Sequence, residues 1–121
     1  MGEHMKISEA EMEVLRALWA AGDWVSVNEA CRRLENRGWK YKTVGTFLLR
    51  LQEKGAVESR KEGKLNLYRP LFSEEEYKHA ETEQFLREVH SGSMKSLLAA
   101  LCGGSVSEDL LDELERRLKE E

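Results

Sequence analysis

The chain has 121 residues, of which 40% are hydrophobic and 35% charged, with one proline and two cysteines. This length suits one small domain, or a small domain plus an oligomerisation appendage, and the scarcity of proline disfavours an all-β fold with many turns. No apolar run approaches the ~18 residues of a membrane span, and the N-terminus lacks the apolar segment of a secretory signal. We therefore expect a cytoplasmic protein without a membrane partner, and we interpret residues 1–5 as a tag remnant and natural start.

The net charge of −4 hides a basic middle segment. From Arg32 to Arg69 the chain has eleven Lys and Arg against four Asp and Glu, a local charge of +7, and the remainder carries −11. A basic segment with acidic flanks is expected if only the middle of the chain meets a polyanion. The alternative is a chance cluster of solvated charges.

Two short helices are predicted at the start of the chain. Ser8 and Glu11 form an S-x-x-E capping box, and apolar residues then recur at helical spacing until Gly22. A short extended piece, "WVSV", follows, and Ser26 is placed to cap a second helix over about 27–36.

The third predicted helix, about 43–54, has two different faces. One is apolar and is expected to pack on a core, with Val44, Phe47, Leu48 and Leu51. In a helix-turn-helix the second helix of the pair enters the major groove, where Lys can donate to guanine and Thr can contact a thymine methyl. The alternative is a solvated face with a tolerated Gly45, which costs about 1 kcal/mol relative to Ala. The predicted DNA-binding residues here are Tyr41, Lys42, Thr43, Thr46 and Arg50.

An alternating segment after Gly55 predicts a β-hairpin with a charged tip over 60–64. Arg60, Lys61 and Lys64 lie around Gly63, where they could neutralise phosphates along the DNA backbone or in the minor groove. Three helices followed by a hairpin predict a mainly α fold with a small β-hairpin wing. This is the winged helix-turn-helix, assigned here to residues 6–72.

Residues 73–121 are predicted to be a helical dimerisation region. Ser73 and Glu76 form a second capping box before a helix from Glu74 to about His90, and two shorter helices follow, the last capped by Ser107. Their apolar stripes are too small for a core of their own, so we expect a homodimer, with packing back on the same chain as the alternative. A two-fold dimer predicts a pseudo-palindromic operator. The predicted dimer residues are Leu97, Leu98, Leu101, Leu110, Leu111, Leu114 and Leu118.

No catalytic, metal or cofactor site is predicted. His79 and His90 lie about three helical turns apart, and no Ser-His-Asp set, phosphate loop or paired-carboxylate cleft is present. Cys31 and Cys102 are single cysteines without a C-x-x-C motif, interpreted as buried or half-buried thiols, with an intermolecular disulfide as the alternative.

Three segments together resemble the penicillinase repressor (BlaI/MecI) family of winged-helix transcriptional regulators. They are "ISEAEMEVLRALW", "KTVGTFLLRLQEKG" and "GKLNLYRPL", and the resemblance extends over about 7–119. It implies a dimeric repressor in which Lys42, Thr43 and Thr46 face the DNA and the C-terminal helices form the dimer. It also implies induction by a membrane-bound sensor protease that cuts an Asn-Phe bond.

The chain departs from this family at two places. Ala100-Leu101 stands where the Asn-Phe bond is expected, so the regulatory protease is implied by the resemblance but not supported by this bond. The Cys-rich tail of copper-responsive relatives is also missing. We therefore predict a dimeric, sequence-specific, DNA-binding transcriptional repressor, with a winged-helix protein-interaction module lacking operator specificity as the alternative.

Overall fold

The first helix begins where the sequence supplies its own cap. In this computed structural model, which describes residues 6–120, α1 spans Glu9–Ala21. The Glu11 N–H donates to Ser8 Oγ at 3.1 Å and the Ser8 N–H donates to Glu11 Oε1 at 3.0 Å, which confirms the predicted capping box. Gly22 ends the helix in the left-handed region, with φ 72°. The predicted tag remnant and start at 1–5 lie outside the described residues.

The second helix is shorter than predicted. Strand β1 spans Val25–Ser26, and α2 spans Val27–Arg33, capped by the Ser26 hydroxyl. The prediction to residue 36 was wrong because Leu34 leaves the helical conformation and is buried in the core. The chain then tightens into a 3₁₀ turn at Glu35–Arg37.

Helix α3 spans Tyr41–Glu53, so it begins two residues before the predicted start and ends one before the predicted end. Lys40 is the extended N-cap residue, and Trp39 before it packs on Phe47, with ring centroids 5.1 Å apart. This packing brings Tyr41 and Lys42 into the first turn. The predicted apolar face is confirmed: Val44, Leu48 and Leu51 are fully buried and Phe47 packs against the core.

Two long strands form the wing, which is the hairpin of β2, Val57–Glu62, and β3, Leu65–Pro70. The sheet order is β1-β3-β2, all antiparallel, so β2 is an edge strand. The connecting turn is only Gly63 and Lys64, with φ 63° at Gly63. Arg60 and Lys61, predicted in the tip, therefore lie within β2. The core lies between α1–α3 and the sheet, with Leu15, Leu18, Val25, Leu48 and Tyr68 among its buried residues.

Three further helices follow: α4 spans Glu74–His90, α5 spans Met94–Leu101 and α6 spans Glu108–Lys119. The second capping box is confirmed, since the Glu76 N–H donates to Ser73 Oγ at 3.0 Å and the Ser73 N–H donates to Glu76 Oε1 at 2.8 Å. The chain divides into two compact units between Tyr77 and Lys78, whereas the sequence placed the boundary at 72/73. No helix within 6–120 is long and apolar enough to cross a membrane.

Helices α5 and α6 of the second unit are joined by one lysine and one leucine. Lys95 Nζ lies 2.6 Å from Glu108 Oε1 and 2.9 Å from Asp112 Oδ1, and hydrogen bonds to these two carboxylates raise the pKa of Lys95. Leu111 is 3% exposed, so this side of α6 is already covered within one chain.

Candidate nucleic-acid interface

The exposed face of α3 brings together most of the residues predicted for this helix. Lys42, Thr46 and Arg50 are exposed and lie along one side, opposite the buried Val44, Leu48 and Leu51. Tyr41 is exposed at the first turn, and Thr43 is half-buried at the flank. A 13-residue helix with a buried apolar side and a continuous polar side has the shape and length to enter a major groove.

The N-terminus of α3 differs from those of the other α-helices. Serine hydroxyls cap α1, α2, α4, α5 and α6, whereas no side chain among residues 6–120 caps α3. The first N–H groups of a helix have no partner within the helix and carry a partial positive charge. With Lys40 and Lys42 beside them, these N–H groups are well suited to a phosphate oxygen.

Thr46 already uses its hydroxyl proton. Its Oγ1 donates to the Lys42 carbonyl oxygen at 3.0 Å, one turn back along the helix. The oxygen keeps its acceptor capacity, and the methyl group stays on the exposed side of α3. Thr46 is therefore equipped to accept a hydrogen bond from a base or to contact a thymine methyl.

Leu49 was not predicted from the sequence as part of this face. It is 53% exposed, and it lies between Gly45 and Arg50 on the exposed side of α3. Gly45 lies one turn before it, and a methyl group added there would meet no atom of residues 6–120 within 4 Å beyond its chain neighbours and the backbone of its own helix. The exposed face thus combines cations with a small apolar patch, which suits the mixture of phosphates, base edges and methyl groups in a major groove. The helical spacing of Leu49 from Lys42 could have indicated it.

The structure separates the predicted wing residues onto two faces. Ser59 accepts a hydrogen bond from Gln52 of α3 at 2.9 Å, so Ser59 and its strand neighbour two residues on, Lys61, point to the α3 side. Arg60 points to the opposite face, where its guanidinium lies over the Trp24 ring, with Cζ 4.5 Å from the ring centroid. Lys64 is at the turn. The structure therefore places Lys61, but not Arg60, on the same side as the exposed face of α3.

The cations on this side have no carboxylate partners among residues 6–120. Within the part of the chain that the structure describes, no acidic side chain lies within ion-pair distance of Lys42, Arg50, Lys61 or Lys64. Arg60 and Arg69 are paired with Glu62 and Glu58 instead. Unpaired cations on one face are available to neutralise phosphates.

The far end of α3 is fixed to the first helix by an ion pair. Lys54 Nζ lies 2.5 Å from Glu11 Oε1 and 2.6 Å from the Lys6 carbonyl oxygen, and the Glu11 side chain is almost fully buried. Burial by itself would raise the pKa of Glu11, but the hydrogen bonds from Lys54 and the Ser8 N–H outweigh it, so the pKa lies below its ordinary value of 4.5. This pair anchors α3 without using any residue of its exposed face.

The predicted dimer residues of the second unit do not form one uniform surface. Leu101, Leu110 and Leu118 are about half exposed or more, whereas Leu111 is buried within the chain. The other three, Leu97, Leu98 and Leu114, are half-buried. Helix α4 adds two exposed residues that were not predicted, Phe85 and Val89.

The described thiols and histidines lie apart from one another. No group of three or more potential metal ligands occurs between residues 6 and 120. Cys31 and Cys102 are free, half-buried thiols, and burial raises the pKa of Cys31. His79 is exposed and lies 3.5 Å from Glu83, whereas His90 is half-buried and shares a 2.7 Å hydrogen bond with the Ser96 hydroxyl.

Comparisons with known proteins agree with this geometry. The family model described as penicillinase repressor matches residues 7–120. The penicillinase repressor of Bacillus licheniformis is 32% identical, and the match covers 95% of this chain and 96% of that protein. The methicillin resistance regulatory protein MecI of Mammaliicoccus sciuri is 30% identical over 90% of this chain and 89% of its own.

Two solved structures resemble the chain in three dimensions. The DNA-binding domain of the repressor BlaI matches with a TM-score of 0.54 and 37% identity, covering 64% of this chain and 94% of its own. The monomeric form of Bacillus licheniformis BlaI in complex with the blaP half-operator matches with a TM-score of 0.50 and 38% identity, covering 60% and 88%. These matches confirm the winged-helix fold.

Proposed function

Because the chain belongs to the penicillinase repressor family, as the resemblance predicted, we propose that it is a transcriptional repressor that binds operator DNA as a homodimer. The family is one of repressors and not of enzymes, in agreement with the sequence prediction. A solved relative is a complex with a half-operator, and this chain has the same fold.

The proposal depends most on the exposed face of α3. Lys42, Thr46 and Arg50 form its polar stripe, with the uncapped helix N-terminus at one end. In this binding mode α3 lies in the major groove, with Tyr41 and Thr43 at its leading end. Lys61 and Lys64 of the wing contact the backbone or the minor groove beside it. Arg60, the remaining predicted wing residue, points to the opposite face of the sheet, over the Trp24 ring.

Fluorescence anisotropy with a duplex from the promoter of the chain's own gene tests whether the exposed face of α3 binds DNA. We expect Lys42→Ala combined with Thr46→Ala to weaken binding at least tenfold, since a specific base contact contributes about 1–3 kcal/mol. Arg16→Ala is the matched control, because it removes an exposed cation from α1 of the same unit. Unchanged binding by the double variant would show that the face is assigned wrongly.

A scrambled duplex distinguishes a repressor from the alternative protein-interaction module. A repressor binds its operator far more tightly than the scrambled sequence, typically by about 10³-fold or more. Equal, weak binding of both duplexes would favour the interaction module instead.

The second unit is proposed to form the dimer. Leu101, Leu110 and Leu118, joined by Phe85 and Val89, leave substantial apolar area uncovered in one chain, and a second copy would bury it. A two-fold dimer presents two copies of α3 about one DNA turn apart, which fits a pseudo-palindromic operator.

Release of the operator is proposed to involve the C-terminal helices. A regulatory protease stays a prediction of the family resemblance, and the bond at Ala100–Leu101 lies at the end of α5, where Leu101 is exposed. We place the protein in the cytoplasm, where a repressor meets its operator. We assign it no metal or cofactor.

A further inference from the structure

Neighbouring cations of the wing point in opposite directions. The strands pair in a continuous antiparallel register, with Glu58 opposite Arg69 and Arg60 opposite Leu67. Alternate residues of a strand point to opposite faces, and directly paired residues share a face. Since Val57 is buried in the core, Ser59 and Lys61 share its side, and Glu58, Arg60 and Glu62 point outward on the other.

Trp24 lies on that outer face. It precedes Val25, which is buried and pairs with Tyr68, so Trp24 points to the opposite side of the sheet. The guanidinium groups of Arg60 and Arg69 both lie over its indole ring, each with Cζ 4.5 Å from the ring centroid. We call Trp24, Arg60, Arg69, Glu58 and Glu62 the Trp24 cluster.

The charges of the Trp24 cluster are compensated internally. Arg69 Nε lies 2.6 Å from Glu58 Oε2, and Arg60 Nη2 lies 3.2 Å from Glu62 Oε2. Two cations thus meet two carboxylates and one aromatic ring. For Arg60 to bind a phosphate, its guanidinium would have to leave both the ring and the carboxylate. Lys61 and Lys64 could bind a phosphate without breaking any such contact, because no such partner is found for them in the described part of the chain.

The outer half of the wing needs support of this kind. Val57 and Tyr68 are the buried residues of its two strands. Strand β1 pairs with Tyr68 and Leu67, and Leu67 lies opposite Arg60, so the hairpin consists of two strands only beyond this pair, over residues 61–66. A two-stranded hairpin is marginally stable in water by itself. The contact of Arg60 with Trp24 ties the base of this two-stranded part to the loop before β1.

We propose that Trp24 is a positioning residue of the wing. It holds Arg60 on the outer face, and this contact, called the strut, supports the hairpin. Lys61 and Lys64 are then the wing cations that meet the DNA backbone. This inference rests on the proposed DNA-binding function. It divides the basic wing into one residue that orders the hairpin and two that contact phosphate.

Operator affinity measured over a series of salt concentrations tests this division with the full chain and the promoter duplex. Each phosphate contact contributes about 0.9 to the slope of log affinity against log salt. We expect Lys61→Ala to lower that slope by about this amount. Arg60→Ala and Trp24→Ala should each weaken binding about threefold to tenfold with an unchanged slope. The double variant Arg60→Ala, Trp24→Ala should bind no more weakly than either single variant, as expected for residues that act together.

Two conservative variants separate a strut from a phosphate contact. Trp24→Phe keeps an aromatic face for the guanidinium and should restore binding. Arg60→Lys keeps the charge but loses the planar group, so a strut predicts behaviour like Arg60→Ala. Wild-type binding by Arg60→Lys, or a lower salt slope in Arg60→Ala, would overturn the proposal and make Arg60 a phosphate contact.

Hydrogen exchange without DNA gives a readout that does not depend on the proposed function. Trp24→Ala and Arg60→Ala should speed the exchange of amides in the two-stranded outer wing, residues 61–66, while those of α1 keep their protection. Lys61→Ala is the control and should leave the wing amides unchanged. Unaltered exchange in Trp24→Ala would refute the strut. If the wild-type chain binds no DNA, the proposed function fails and exchange still decides the role of Trp24.

Discussion

Gly45 lies in the middle of α3, where a side chain would have room. Its backbone is helical, and an added methyl group would meet no described atom within 4 Å beyond its chain neighbours and the backbone of its own helix. Glycine at such a site lowers helix stability by about 1 kcal/mol relative to alanine. Because it lies at the edge of the exposed face, beside Lys42, close approach of the α3 backbone to DNA is the reason that fits its position.

Gly45→Ala is expected to raise stability and lower operator affinity. The free energy of unfolding should rise by about 0.5–1 kcal/mol, because alanine restricts the unfolded chain and fits the helix. The new methyl group would project toward the groove and should weaken operator binding. Urea denaturation and anisotropy measure the two quantities. A variant that is more stable and binds equally well would show that the backbone of α3 does not approach the DNA closely.

Glu11 provides a pH-dependent part of the stability of the first unit. Its pKa is lowered in the folded chain, despite burial, by the hydrogen bonds from Lys54 and Ser8. Its ionised form therefore stabilises the fold above the ordinary pKa of 4.5, and this contribution is lost as the pH falls through the lower, folded pKa.

We expect Glu11→Gln to unfold more easily at neutral pH, by about 1–2 kcal/mol, since a charged hydrogen-bond partner of Lys54 is lost. The difference from wild type should shrink as the pH falls from 4.5 through the lower pKa of the folded chain, where the wild-type carboxylate becomes protonated. Thermal or urea unfolding at several pH values measures this difference. Glu9→Gln, in the first turn of the same helix, is the control. A difference that stays constant with pH would argue against the ion pair.

At the scale of elements, the local sequence predicted the starts of most helices. α1, α4 and α6 begin after serine caps, because a cap is decided by residues within one turn. The end of α2 was not predictable in this way, since Leu34 leaves the helix to enter a core formed by distant residues. The division of Arg60 and Lys61 between two faces also depended on the strand register, which is fixed by the two-residue turn and by packing against α3.

Two leucines of α6 are expected to pack against different partners: Leu111 within its own chain and Leu110 on the second copy of a dimer. Leu111→Ala should destabilise the folded second unit by about 2–3 kcal/mol at every protein concentration, because Leu111 is buried within one chain. Leu110→Ala is the matched change, and its effect should grow only under conditions where the dimer forms. Unfolding followed at low and high concentration tells the two apart. Equal, concentration-independent effects would place Leu110 outside the interface.

At the scale of the whole molecule, the basic segment and the exposed apolar surface are expected to have different roles, in DNA binding and in dimerisation. Eleven of the 19 Lys and Arg residues lie between Arg32 and Arg69, within the winged helix, while the net charge of the chain is −4. The excess of Asp and Glu in the second unit disfavours its contact with DNA, so binding should be confined to the winged helix. Five of the nine exposed large apolar side chains among residues 6–120 lie in the second unit: Phe85, Val89, Leu101, Leu110 and Leu118.

Leu110→Asp combined with Leu118→Asp is expected to produce monomers in sedimentation velocity, because two carboxylates would replace buried apolar contacts in the dimer. Operator affinity should fall strongly, since each monomer then binds a single half-site. Ser105→Asp, which adds a charge in the exposed loop before α6, controls for charge alone. Persistence of the dimer in the double variant would place the interface elsewhere.

The position of β2 at the edge of the sheet has a consequence for solubility. An edge strand exposes a row of unpaired backbone groups that can recruit a strand from another molecule, and charged side chains are a common protection against this aggregation. Four of the six residues of β2 are charged. Variants that neutralise Arg60 and Lys61 together should therefore show increased self-association at high concentration, independently of any effect on DNA.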